Sequence, residues 1–111
     1  LNRLDADPFD GILIRFKGDG KRYQLRLRQG DRMDGVAYFR HFETKIGEWE
    51  EVFLPFHSFQ ASYRGRRLPD YPKLDTSRIS QLGLMISDKQ EGNFRLEVQR
   101  IALYLNEHFQ T

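Results

Sequence analysis

Residues 10–28 constrain the fold most. Ile12, Ile14 and Phe16 alternate with Leu13, Arg15 and Lys17, then Gly18-Asp19-Gly20 intervenes. A second alternation follows, with Tyr23, Leu25 and Leu27 set against Arg22, Gln24, Arg26 and Arg28. A period of two means half-buried strands, because successive side chains of a strand point to opposite faces. An Asp-Gly pair between two such runs predicts a two-residue hairpin. In that register Phe16 faces Tyr23, Ile14 faces Leu25 and Ile12 faces Leu27. A slip of one residue would scramble the match.

The rest of the chain reads as more strands. Residues 36–43 carry Tyr38 and Phe42 on one face and Phe39 on the other, with His41 beside it, which predicts cover on both sides. Lys45-Ile46-Gly47 reads as a turn. Residues 48–54 form a strand stopped by Pro55, which lacks an N–H for the ladder. Residues 55–59 predict one helical turn that brings Phe56 and Phe59 onto the core. Periodicity is lost over residues 60–77, a long connection of the kind that often carries function. Asp75, Thr76 or Ser77 is placed to cap a short turn. A strand over residues 81–87 presents Leu82, Leu84 and Ile86 on one face. The last strand, residues 94–105, changes apolar phase between Gln99 and Arg100, which predicts a β-bulge.

Six strands and no convincing helix predict an antiparallel sandwich or barrel. The 111 residues fit one domain, with a core over residues 9–105 and a tail at 106–111. Aromatic residues are 14% of the chain and supply much of the core volume.

Charge and composition narrow the function. Lys and Arg number 18 against 16 Asp and Glu, a net charge of +2, too balanced to imply nucleic-acid binding. The chain has no cysteine, so disulfides and thiolate metal sites are excluded. No apolar run approaches the ~20 residues that span a bilayer, so no membrane insertion is expected. His41, His57 and His108 lack metal-ligand spacing, and no cofactor motif stands out. Asp88 and Glu91 are weighed as calcium ligands against a plain turn, and the plain turn is the expectation.

Three constellations are candidates for binding. The outward residues of the opening strands, Arg15, Lys17, Arg22, Gln24, Arg26 and Arg28, would make a cationic face for an acidic partner or a phosphate; the alternative is a solvated face that resists edge aggregation. The long connection holds Tyr63-Arg64-Gly65-Arg66-Arg67, then Asp70, Tyr71 and Lys73. Tyr and Arg together suit recognition; the alternative is a loop tied down by ion pairs from Arg66 or Arg67 to Asp70. Trp49 and Phe53 share a strand face and would stack on a sugar if exposed, with core packing expected instead. The binding candidates are therefore Tyr63, Arg64, Arg66, Arg67 and Tyr71, with Arg15 and Arg26.

Several segments together resemble the complex I intermediate-associated protein 30 family. They are Phe9-Asp10-Gly11-Ile12, Gly18-Asp19-Gly20-Lys21-Arg22-Tyr23 and Trp49-Glu50-Glu51-Val52-Phe53-Leu54-Pro55-Phe56, then Phe59, Arg64-Gly65-Arg66, residues 79–86, and Gly92-Asn93-Phe94-Arg95-Leu96-Glu97-Val98 followed by Ile101. The resemblance implies a galactose-binding-like jelly roll lacking an N-terminal segment that the family usually has. It implies a non-catalytic module that binds protein as an assembly chaperone or scaffold, with a respiratory or photosynthetic complex subunit as partner. A carbohydrate-binding module is the competing reading, and an accessory domain fused to a dehydrogenase-like partner is a third. Without a presequence, the expected location is the bacterial cytoplasm, or an organelle if a targeting segment has been removed.

Overall fold

The computed structural model describes residues 5–30, 35–87 and 92–105. Eight strands follow one another: β1 (Gly11–Lys17), β2 (Arg22–Gln29), β3 (Val36–Glu43), β4 (Trp49–Pro55), β5 (Gln60–Tyr63), β6 (Arg66–Arg67), β7 (Ile79–Ile86) and β8 (Glu97–Tyr104). They form two antiparallel sheets, β4-β1-β8 and β6-β5-β3-β2-β7, packed as a sandwich. The pairs β1–β8 and β2–β7 join the start of the chain to its end, the nested wrapping of a jelly roll. Among the described residues no helix is long and apolar enough to cross a membrane.

The predicted hairpin does not form. β1 pairs with β4 and β8, while β2 pairs with β3 and β7 in the other sheet. The alternation is nevertheless fully used. Ile12, Ile14 and Phe16 are buried in one sheet and Tyr23, Leu25 and Leu27 in the other, all in one core cluster. The apolar sets meet across the sandwich instead of side by side. Phe16 of β1 reaches Phe42 of β3 with ring centroids 5.0 Å apart.

The crossover between sheets is built by Gly18-Asp19-Gly20. Gly18 bridges Ile46, and its carbonyl accepts from the Gly47 N–H at 3.0 Å. The Asp19 carboxylate accepts from the N–H of Lys21 (3.1 Å), the Tyr23 hydroxyl (3.0 Å) and the N–H of Arg95 (2.6 Å). Thr44 Oγ1 accepts from the Gly20 N–H at 3.0 Å and donates to the Lys21 carbonyl at 2.8 Å. Gly18 must be glycine here, since a Cβ would lie 2.2 Å from Thr44 Cβ. Three segments at this end of the sandwich are thereby tied together, two of them through the Asp19 carboxylate and the third through Thr44 and the Gly18 carbonyl.

Several other expectations hold. Phe56–Ser58 is a 3₁₀ turn, and Phe56 and Phe59 enter the core. Arg15 pairs with Arg100 and Phe16 with Val98, so Gln99 is the bulged residue. Asp75 caps a second 3₁₀ turn, Thr76–Arg78, by accepting from the Ser77 N–H at 3.1 Å. Residues 60–77, however, are not all loop. They begin with the β5–β6 hairpin, so the expected six strands become eight. The last strand starts at Glu97, not at Phe94, which is 60% exposed.

Candidate binding surface

The hairpin β5–β6 turns through Arg64 and Gly65, whose φ angles of 51° and 82° are both left-handed. That is the backbone of a tight two-residue hairpin turn, and Gly65 supplies half of it without strain. The strand pairing sorts the side chains. Tyr63 and Arg66 stand opposite each other on one side; Ser62 and Arg67 stand on the other. The Arg64 guanidinium lies 5.2 Å from the Tyr63 ring centroid, a cation–π contact at the tip.

No ion pair joins Arg66 or Arg67 to Asp70 among the described residues, so the expected salt-bridge anchor is not what holds this segment. Backbone and hydroxyl bonds hold it instead. Leu68 donates to the Ala61 carbonyl (2.9 Å), Tyr71 to the Leu68 carbonyl (3.1 Å) and the Tyr38 hydroxyl to the Pro72 carbonyl (2.8 Å). Tyr71 packs against Tyr38 at 6.4 Å between centroids. The result is a cleft of about 470 Å³, lined by Tyr38, Gln60, Arg67, Leu68, Tyr71 and Lys73 among others.

The cationic face read from the sequence is divided by the crossover. Arg15 and Lys17 lie on the outer face of β4-β1-β8. Arg22, Gln24, Arg26 and Arg28 lie on the outer face of the five-stranded sheet, on the far side of the molecule. The expectation that they share one face is thus corrected. In exchange, the structure joins two candidates that sequence reasoning kept apart. Arg26 and Arg67 line one cleft of about 240 Å³ together with Gln24, Phe39, His41 and Ser62. Arg26 Nη1 donates to Gln24 Oε1 at 2.6 Å. Burial, and then the neighbouring Arg28 charge, lower the Arg26 pKa below its ordinary value.

The Trp49 expectation is also corrected. Trp49 pairs with Lys17 on the outer face and is 41% exposed, not packed in the core. The Arg15 and Lys17 cations each lie 5.4 Å from its ring centroid. Phe53, on the same face, packs on Tyr104 at 4.8 Å. Strand parity put Trp49 outside all along, because Leu54 and Val52 take the inward positions.

Two further groups were missed or fall elsewhere. His41 Nδ1 lies 2.9 Å from Ser87 Oγ, a nucleophile–base distance, but Ser87 is 1% exposed and closed to a substrate. Its signal was absent, since strand pairing of β2 with both β3 and β7 brings these residues together. Asp19 is held below the ordinary carboxylate range: burial works to raise it, and the bonds from Arg95, Lys21 and Tyr23 outweigh that. Tyr23 is pushed up to about 12 by burial and by Asp19. The calcium candidates Asp88 and Glu91 lie outside the described residues.

Comparison with known proteins follows from the motifs now located on the fold. The chain is 30% identical over 104 residues to mitochondrial complex I intermediate-associated protein 30 of Mus musculus, covering 90% of this chain and 32% of that protein. It is 28% identical over 100 residues to the probable mitochondrial counterpart of Caenorhabditis elegans, covering 86% and 29%. It is 37% identical over 105 residues to an uncharacterised protein of Schizosaccharomyces pombe, covering 84% and 48%. The chain thus spans about a third of the two named relatives. The family model matches residues 1–98, nearly all of the sandwich described above, and the chain belongs to the complex I intermediate-associated protein 30 family.

Proposed function

We propose that this chain is a non-catalytic protein-binding module that works in the assembly of respiratory complex I, holding an intermediate as a chaperone or scaffold. The observation that carries the reading is the family match over residues 1–98. The names of its relatives associate them with complex I intermediates and with mitochondria, and a mitochondrial location follows for this chain on the same reading. The hairpin tip at Tyr63, Arg64 and Arg66, with Arg67 and Tyr71 on the adjoining cleft, is the recognition surface. Arginine forks and tyrosine rings make strong interface anchors.

The test is capture from solubilised mitochondrial membranes with the tagged 111-residue chain, read by mass spectrometry. Subunits of complex I should be enriched. Replacing Arg64, Arg66 and Arg67 with Ala should leave the melting temperature unchanged and weaken that capture. Enrichment of unrelated proteins alone would sink the assembly role, and unfolding of the variant would make the arginines structural.

The carbohydrate reading has one observation in its favour, the half-exposed Trp49 and Tyr104 on one sheet face. They stand at opposite ends of β1, opposite Lys17 and Gly11, roughly 20 Å apart along the strand. Two cations flank the Trp49 ring. A glycan array should therefore give no strong binder, and a clear hit would replace the assembly reading.

A further inference from the structure

Strands β2, β3, β5, β6 and β7 carry Arg22, Arg26, Arg28, Arg40, Arg66 and Arg67, and Glu43 is their only carboxylate. The strand register turns Arg22, Arg26, Arg28 and Arg67 to the outer face of the sheet and sets Glu43 at one end, opposite Arg22. Arg26, Arg28 and Arg67 form no ion pair among the described residues. Half-buried like charges repel, so this arrangement costs stability instead of adding it. A face that served solubility alone would mix the two signs. The opposite face does so, with Arg100 and Glu51 3.8 Å apart.

The spacing of the arginines fits an extended ligand better than a compact one. Arg26 and Arg28 are two residues apart on one strand face, about 7 Å, and Arg22 is about 13 Å further along. A single phosphate is far shorter than that row. An extended peptide repeats its side chains at the same ~7 Å interval. The floor between the arginines is shallow, because Ala37, Ser62 and Gly83 occupy outer-face positions beside them. Guanidinium forks match carboxylates in a bidentate way that ammonium groups do not. Of the two rings on this face, Phe39 is 8% exposed, and half-buried His41 stands edge-on to it at 75° with its Nδ1 2.9 Å from Ser87 Oγ, so neither is an open platform on which a nucleic-acid base could stack. Of the large apolar side chains in the outer positions, Met85 is the exposed one, which is little to anchor the sheet in lipid.

We propose that the outer face of the five-stranded sheet docks an extended acidic segment of a protein partner, whose alternate carboxylates engage Arg28 and Arg26 along β2 while Arg67, three strands across, takes a further carboxylate at the cleft it shares with Arg26. This rests on the protein-binding reading above and names the chemistry of the partner. Charge complementarity selects the segment, and Arg67 links this face to the Tyr71 cleft, which it also lines.

The experiment uses a fluorescein-labelled peptide of five Ser-Glu repeats as probe and fluorescence anisotropy as readout. The native chain is compared with R26Q/R28Q/R67Q and with R15Q/K17Q/R100Q, which removes the same charge from the opposite face. Binding should weaken about tenfold or more in the first variant and change less than about twofold in the second. Equal losses in both would overturn the proposal, since net charge would then suffice. Tighter binding of single-stranded DNA, of inorganic phosphate or of phosphatidylserine vesicles than of the peptide would overturn it as well. Should the triple variant fail to fold, R67Q alone, at an exposed strand end, should still weaken binding about threefold; an unchanged affinity sinks the idea. Membrane capture separates the two readings. If R26Q/R28Q/R67Q still enriches complex I subunits at native yield, the docking face fails and the assembly role stands. If the native chain enriches none, the assembly role fails whatever the peptide does.

Discussion

On the outer face of β4-β1-β8 most cations have a local answer. Arg100 meets Glu51, Arg15 donates to Gln99 Oε1 at 2.5 Å, and Arg15 and Lys17 flank the Trp49 ring. On the outer face of the five-stranded sheet, Arg26 donates to Gln24 Oε1 at 2.6 Å and Arg28 to the Val36 carbonyl at 3.4 Å, but neither meets a carboxylate among the described residues, and burial and then the Arg28 charge lower the Arg26 pKa. Both faces cover one core, so core demands cannot explain the difference. A face that settles its charges internally is finished by folding. A face whose arginines meet no carboxylate among the described residues keeps charge to offer a partner, and this is why binding is assigned to the second.

The largest effect that sharpens this contrast lies on β2 itself. Leu25 is fully buried and Arg26, its neighbour, points outward. Leu25→Ala should cost about 2–5 kcal/mol of stability in urea unfolding. A loss below about 1 kcal/mol would mean that the inner side of β2 is not the core it is taken to be. Next in size is Gly18→Ala. The added methyl collides with Thr44 at the crossover and should cost about 1–3 kcal/mol. A neutral result would show that the two sheets are not locked together at that end.

Asp19 provides a test by pH. Its pKa is lowered in the fold, so its stabilisation is present above about pH 4 and is lost as pH falls through the lowered value. Tyr23 is raised to about 12, so its contribution is full below about pH 10 and is lost as pH rises towards 12. Asp19→Asn should therefore lower stability by about 1 kcal/mol at pH 7 and by less at pH 2.5 and pH 11. Urea midpoints at the three pH values check this; a constant difference would remove the carboxylate from the account.

A smaller effect concerns the settled face. Arg15→Gln with Lys17→Gln should cost about 0.5–1 kcal/mol through lost cation–π contact and increase acrylamide quenching of Trp49 fluorescence. The smallest effect concerns the unsettled face. Arg26→Gln should shift stability by less than about 0.5 kcal/mol, in either direction. Raising NaCl from about 0.05 to 0.5 M should stabilise the native chain slightly more than this variant, because salt screens repulsion among the arginines. A clear destabilisation of Arg26→Gln would break the contrast, since the arginines would then be serving the fold.

Period-two alternation told which side chains of β1 and β2 face inward, and every one of them does. It was silent on who the neighbours are, because facing across a sandwich and pairing in a hairpin impose the same pattern. The Asp-Gly signal suggested the hairpin, but the Asp19 carboxylate is spent on Tyr23, Lys21 and Arg95. That single topological choice misplaced Arg15 relative to Arg26. The bulge at Gln99 was legible because a bulge shifts the apolar phase of the strand itself. β5 and β6 were not, since runs of four and two residues are too short to show a period. The junction of Arg26 with Arg67 was also hidden, as it depends on β3 lying between β2 and β5.

The crossover has a consequence for how the chain comes to be folded. Its first strand finds neither partner nearby: Ile12 waits for Leu54 on one side and for Leu103 on the other. A chain leaving the ribosome would hold β1 with one edge bare until β8, more than eighty residues later, has emerged. Pairings between such distant segments are slow to close and leave apolar strands open to wrong neighbours in the interval. A protein with this topology is among those most exposed while still unfinished.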